Sequence, residues 1–161
     1  MRWLVVLFAV LPLHAEVNMN AFLVIDVNDQ FLEDAMIRGF FGDVLRKGGL
    51  GYRDIETAAF VVQQADGQYR CVTWPFTGSF QSQKFTGTIP DRSVAILHTH
   101  PEARPNPSLK DRETAMITGV PVFVLTRRNI FMIRADGTST ALVKDRRWVS
   151  DARPPRSCTN R

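Results

Sequence analysis

The sequence predicts one α/β domain of the α+β kind: a single mixed β-sheet, with one helix before it and a second helix within the strand order. Three observations lead there. A helical-period apolar face runs from about Asp29 to Lys47. Two extended runs flank the tight-turn tripeptide Ala65-Asp66-Gly67. A strand, Ser93 to His100, then passes through a proline-rich loop into a capped helix and further strands. At 161 residues the chain has room for one sizeable core and no second domain. Its 45% hydrophobic content, rich in Val, Ile, Phe and Thr, favours strands.

Taken in order, "MRWLVVLFAVLPLHAEVN" has an early positive charge at Arg2, an uncharged apolar run from Trp3 to Leu13, and Ala15 before Glu16. This is the layout of a secretory signal peptide over residues 1–15. The competing reading is an N-terminal helix buried in the core. The run is too short to span a bilayer, which takes about 20 residues, so no stable membrane insertion is expected. The mature chain is expected to begin near Glu16 and to be exported, either periplasmic or secreted. "AFLVIDV", Ala21 to Val27, reads as a strand or extended entry.

Phe31, Ala35, Phe40, Phe41, Val44 and Leu45 fall near one helical face, with Asn28 or Asp29 available as cap and Gly48-Gly49 as stop. Glu33 and Asp34 sit on the solvated side of that helix. The hairpin follows, then Ser93 to His100, a strand that begins apolar and ends polar. "PSLKDRETAMITG" is a short helix with Ser108 at the cap and Gly119 beyond its end. Two or three strands follow, with turns at Arg128-Asn129 and Asp136-Gly137. The domain is therefore drawn over residues 16–145, and 146–161 as a basic, solvated C-terminal tail.

Cys71 and Cys158 are the only cysteines. In an exported chain two thiols pair more often than they catalyse, so a disulfide tying the tail to a strand is expected. The alternative is two unpaired thiols. The net charge is +4, much of it in the tail, which could touch an anionic surface. No aromatic residues interleave with basic ones along a sheet, and no DNA-binding helix pattern appears, so nucleic acid is not an expected partner.

The chain carries three histidines, one of them in the leader at His14. The other two, His98 and His100, are two apart on a predicted strand and so project from one face. Two imidazoles so placed can close on one metal ion, although H-x-H pairs also occur at ordinary polar strand ends. Pro101, Pro105 and Pro107 stiffen the loop behind them, and Asp111 falls on the first turn of the following helix. Two nitrogens and one oxygen leave a fourth tetrahedral position for water, which marks a catalytic zinc site.

His98, His100 and Pro101, then Ser108 after six residues and Asp111 after two more, form a pattern that resembles the signature of JAMM metalloproteases, the MPN or JAB domains. The "HTHP" wording is similar to bacterial JAB-like domains attached to polymorphic toxins. The resemblance spans about Phe31 to Leu142. It implies an MPN/JAB-like fold with a helix after the metal-binding strand, and one zinc ion held by His98, His100 and Asp111. It also implies an upstream glutamate that activates a water without binding the metal. Glu56 is that candidate, at the start of "ETAAFVV"; Asp54 is its rival, and Ala58 and Ala59 stand where the family commonly has glycine. Ser108 would donate to the developing oxyanion, beside its helix-cap role, and Asp111 also suits an N3 carboxylate favouring its helix dipole.

The activity implied is zinc-dependent hydrolysis of a peptide or isopeptide bond. Relatives that cut ubiquitin chains carry insertions for which the strands and tail after Asp111 leave no place. Protein, peptide or peptidoglycan-peptide substrates are the expected partners. The other class is a JAB-like binding or scaffold module, envelope- or toxin-associated, without turnover.

Overall fold

The computed structural model describes residues 31, 33–53, 55–75, 87–149 and 158–160. The expected leader with His14, the extended entry at 21–27 and the caps at 28 and 29 lie outside the described residues. Helix α1 spans Ala35–Lys47, with Asp34 as its N-cap. The chain is already helical at Phe31 and Glu33 and breaks at Asp34. The Asp34 carboxylate accepts from the backbone N–H of Met36 at 2.7 Å and of Ile37 at 3.3 Å. That competition restarts the helix one turn later than its apolar period suggests. Ile37, not Ala35, supplies the buried first turn.

The helix ends where predicted. Arg46 and Lys47 lie in its last turn, favourable to the dipole, and Gly48 is the C-cap. A Cβ on Gly48 would meet Thr99 Oγ1 at 2.7 Å, so only glycine fits under that strand.

Strands β1 (Ala58–Gln63), β2 (Tyr69–Thr73) and β3 (Ser93–Thr99) precede helix α2 (Leu109–Thr118). Strands β4 (Val122–Leu125), β5 (Ile130–Ile133), β6 (Ser139–Val143) and β7 (Thr159–Asn160) follow it. All seven form one mixed sheet in the order β6-β5-β4-β3-β1-β2-β7. Most neighbours are antiparallel; β3–β4 and β2–β7 are parallel. The expected hairpin is present, closed by Gln64 N–H to Gln68 O at 2.7 Å.

Alternation of side chains divides the core. Odd residues of the central strands (Ala59, Val61, Ala95, Leu97, Phe123 and Leu125) pack with Phe40, Phe41, Val44 and Leu45 of α1. The Phe41 and Phe123 rings lie 5.1 Å apart and both are fully buried. Even residues (Phe60, Val62, Ile96, Val122 and Val124) form a second cluster on the other face, where α2 contributes Ala115. His98 is an even residue and therefore belongs to the α2 face.

Cys71 and Cys158 form a disulfide. Lys47 Nζ donates to Cys158 O at 2.8 Å, and Cys158 N–H donates to Asp43 Oδ2 at 2.8 Å. The end of the chain is thus tied both to β2 and to α1. Val149 is buried, and Trp148 Nε1 donates to Thr126 O at 2.7 Å, so packing continues past residue 145. Among the described residues no helix is long and apolar enough to cross a membrane.

Candidate metal centre

The site lies where β3 ends and α2 begins. Ala58 pairs directly with His98, and its methyl group leaves space above the sheet for the imidazole. Extending that register by two residues sets Glu56 opposite His100. Thr99 points to the other face, where its hydroxyl accepts from Thr57 N–H at 2.8 Å and locks the strand ends together. The expectation that His98 and His100 share a face is met: their rings meet edge to face, 4.9 Å between centroids.

Helix α2 opens with a capping box, a backbone and side-chain exchange at its first turn. Ser108 Oγ accepts from Asp111 N–H at 3.2 Å, while Asp111 Oδ2 accepts from Ser108 N–H and Ser108 Oγ–H, both at 2.7 Å. The same Asp111 reaches both histidines. Its Oδ1 is 2.9 Å from His98 Nδ1, and its Oδ2 is 3.3 Å from His100 Nε2. The cap and the site therefore share one carboxylate.

Each histidine is held in one state. His100 Nδ1 faces the carbonyl oxygens of Arg104 and Asn106 at 3.1 and 3.0 Å. Carbonyls only accept, so Nδ1 carries a proton and the ring turns its Nε2 towards the Asp111 carboxylate. With Nε2 deprotonated, that nitrogen and Asp111 Oδ2, 3.3 Å apart, could share a cation. His98 Nε2 is buried without a hydrogen-bond partner, 3.4 Å from Glu56 Oε2. Burial alone would lower the His98 pKa; the hydrogen bond to Asp111 and the neighbouring carboxylates of Asp111 and Glu56 outweigh it and raise it to about 9. Burial likewise pushes Asp111 up, but hydrogen bonds from His100, His98 and Ser108 hold it well below the usual carboxylate range.

Glu56, His98 and His100 could hold a metal ion, since each offers one donor atom within 4.8 Å of the others. The expectation from sequence put Asp111 in the ligand set and Glu56 outside it. The structure gathers all four side chains together: Asp111 lies 2.9 Å from His98 and 3.3 Å from His100, and Glu56 lies 3.4 Å from His98. Nitrogen and carboxylate donors in this number match the requirements of zinc. The rival carboxylate at position 54 lies outside the described residues.

Sequence reasoning missed the two carbonyls that orient His100. They belong to the loop backbone and have no side-chain signal; the prolines at 105 and 107 around Asn106 were the only hint of a stiff arc. It also missed the extent of the adjoining cavity, about 810 Å³, which runs from the polar cluster along the even face of the sheet.

No protein-family model and no curated protein matches this chain.

Proposed function

We propose that the protein is an exported, zinc-dependent peptidase or isopeptidase of the JAMM type. One observation carries the reading: Glu56, His98, His100, Ser108 and Asp111 converge on one cavity, with the buried His98 Nε2 lacking a hydrogen-bond partner. In this reading His98, His100 and Asp111 hold the metal and Glu56 stays outside the ligand set. A zinc ion there would supply Lewis acidity, bringing the pKa of a water towards about 7 and polarising a substrate carbonyl.

The chain's own residues do the rest. Glu56, beside His98, takes a proton from water and returns it to the leaving amine, as base and then acid. Ser108 donates a hydrogen bond from its hydroxyl to the carbonyl oxygen as charge develops there. That hydrogen now rests on Asp111 Oδ2, so the role requires Ser108 Oγ–H to turn away from the carboxylate. The Arg104 and Asn106 carbonyls keep the His100 ring in register throughout. The Cys71–Cys158 disulfide supports an oxidising compartment, and hence export.

The test is metal analysis of the purified protein beside a peptide-hydrolysis screen of wild type and Glu56→Gln. One zinc per chain in both, with hydrolysis only in wild type, supports the reading. Zinc binding without turnover of any protein, peptide or peptidoglycan peptide makes the protein a binding module instead.

A further inference from the structure

The cavity holds more than a water-activating centre needs. Its polar end carries the histidines and carboxylates; beyond them the sheet side of the lining is apolar. Phe60 and Ile96 lie one pleat repeat from Ala58 and His98 on the same face, and Val122 continues that floor on β4. Trp74 and Ile89 flank it. The opposite wall comes from α2, where Lys110, Glu113, Thr114 and Thr118 surround Ile117, its one apolar lining residue, which is 84% exposed. A lone exposed isoleucine needs no explanation, but one that lines a cleft with an apolar floor does.

Distance sets what this floor can touch. Two residues of strand cover roughly 7 Å, about the reach from a backbone carbonyl beside His98 to the tip of a long side chain on the next residue. We infer that the cleft takes a large apolar side chain, aromatic or branched aliphatic, from the residue flanking the scissile amide. The inference rests on the peptidase reading above and narrows its substrates. Peptides with such residues are favoured, while glycine tails and the alanine stems of peptidoglycan would leave the floor facing water. Filling the floor with Leu or Phe instead of Gly should gain about ten- to a hundredfold.

The experiment has two arms. In the first, dissociation constants are measured for N-acetyl amino-acid hydroxamates (Gly, Ala, Asp, Lys, Leu and Phe) on the zinc-loaded protein, and for the matching N-acetyl amides on the metal-free protein. Leu and Phe should bind at least tenfold more tightly than Gly, Asp or Lys in both series. Ile117→Asp should remove most of that gap. Leu109→Asp adds the same charge to the same exposed helix away from the cleft, and should preserve it. Equal binding across the series, or a preference for Asp or Lys, overturns the inference. In the second arm, internally quenched peptides varied at the residues flanking the cleaved bond are screened for hydrolysis. Cleavage indifferent to those residues also overturns the inference while the peptidase reading stands. Selective apolar binding with no cleavage sinks the peptidase reading and leaves the cleft as an apolar-ligand site.

Discussion

Asp111 is the residue on which the ligand assignment turns, and Asp111→Asn tests it. The substitution keeps the shape and removes the charge. In the metal-free protein it loses the charge-assisted contact to His98 Nδ1 at 2.9 Å, a bond class contributing about 1.5–3 kcal/mol. It also weakens the capping box at Ser108, where a helix cap is typically worth about 1 kcal/mol. Metal-free Asp111→Asn should therefore unfold roughly 3 kcal/mol more easily at neutral pH, read as a lower urea midpoint. By NMR, His98 should titrate below its native value of about 9, because its strongest acidic partner is gone. Zinc affinity, measured by competition with a chelator, decides the role. Losing an outer hydrogen-bond partner of a ligand costs about 10–100-fold, so a fall beyond about a hundredfold marks Asp111 as a ligand. Glu56→Gln in the same assay should lose at most about tenfold in affinity while hydrolysis drops about 10²–10⁴-fold. The reverse order, with Glu56→Gln stripping the metal and Asp111→Asn keeping it, refutes the assignment. The ligand trio would then be Glu56, His98 and His100, as their donor spacing alone suggests.

Three further outcomes follow from the same geometry. The folded His98 pKa of about 9 lies above the ordinary 6.5, so its contribution to metal-free stability is complete below about pH 6.5 and lost as pH rises through 9. Urea midpoints from pH 6 to 10 should trace that loss, roughly 3 kcal/mol in all; a flat profile contradicts it. Ser108→Ala should keep zinc, lose about 10²–10³-fold in rate and roughly 1 kcal/mol in stability; an unchanged rate removes its oxyanion role. Cys158→Ser opens a link of sequence separation 87, which on chain-entropy grounds costs about 4.6 kcal/mol. Unfolding with and without reductant checks it, and a wild type insensitive to reductant counts against the value.

What was legible in the sequence follows from which interactions are local. Period-2 alternation alone places His98 and His100 on one face, and the Ser108 to Asp111 spacing alone predicts a capped first turn. Both are decided within four residues of chain. The break at Asp34 is equally local, yet the apolar period of α1 masks it, since Phe31 and Ile37 are buried on either side. Strand β7 was not legible because two residues carry no periodicity; it exists through Cys71, Lys47 and Asp43, all far off in sequence. The expectation that Asp111 and not Glu56 is a ligand comes from the signature resemblance, not from spacing. Both carboxylates reach His98, and sequence spacing says nothing of which oxygens a cap has already engaged.

The position of the site follows from the topology. Strands β3 and β4 are parallel neighbours, and parallel strands cannot be joined by a tight turn; they need a crossover, here α2. The chain leaving β3 must therefore rise off the sheet and return over its even face. That brings the first turn of α2, with Ser108 and Asp111, back above the end of the strand carrying His98. Strand β1 runs antiparallel to β3 on the other side, so its start lies beside the end of β3 and delivers Glu56 to the same point. Because β3 is the fourth of seven strands, the cluster sits at the middle of the sheet, shielded on both flanks. Central placement explains why both histidines and Asp111 are largely buried although they lie at a strand end, where side chains are ordinarily wet. Burial makes weakly satisfied polar atoms costly, and His98 Nε2 is one such, with no hydrogen bond and only Glu56 at 3.4 Å. A cation bound among these donors would remove that cost, so metal binding should stabilise the fold as well as equip the site. The observable is a urea midpoint that rises with zinc in wild type and does not rise in His98→Ala. A zinc-dependent rise that survives His98→Ala would place the metal elsewhere.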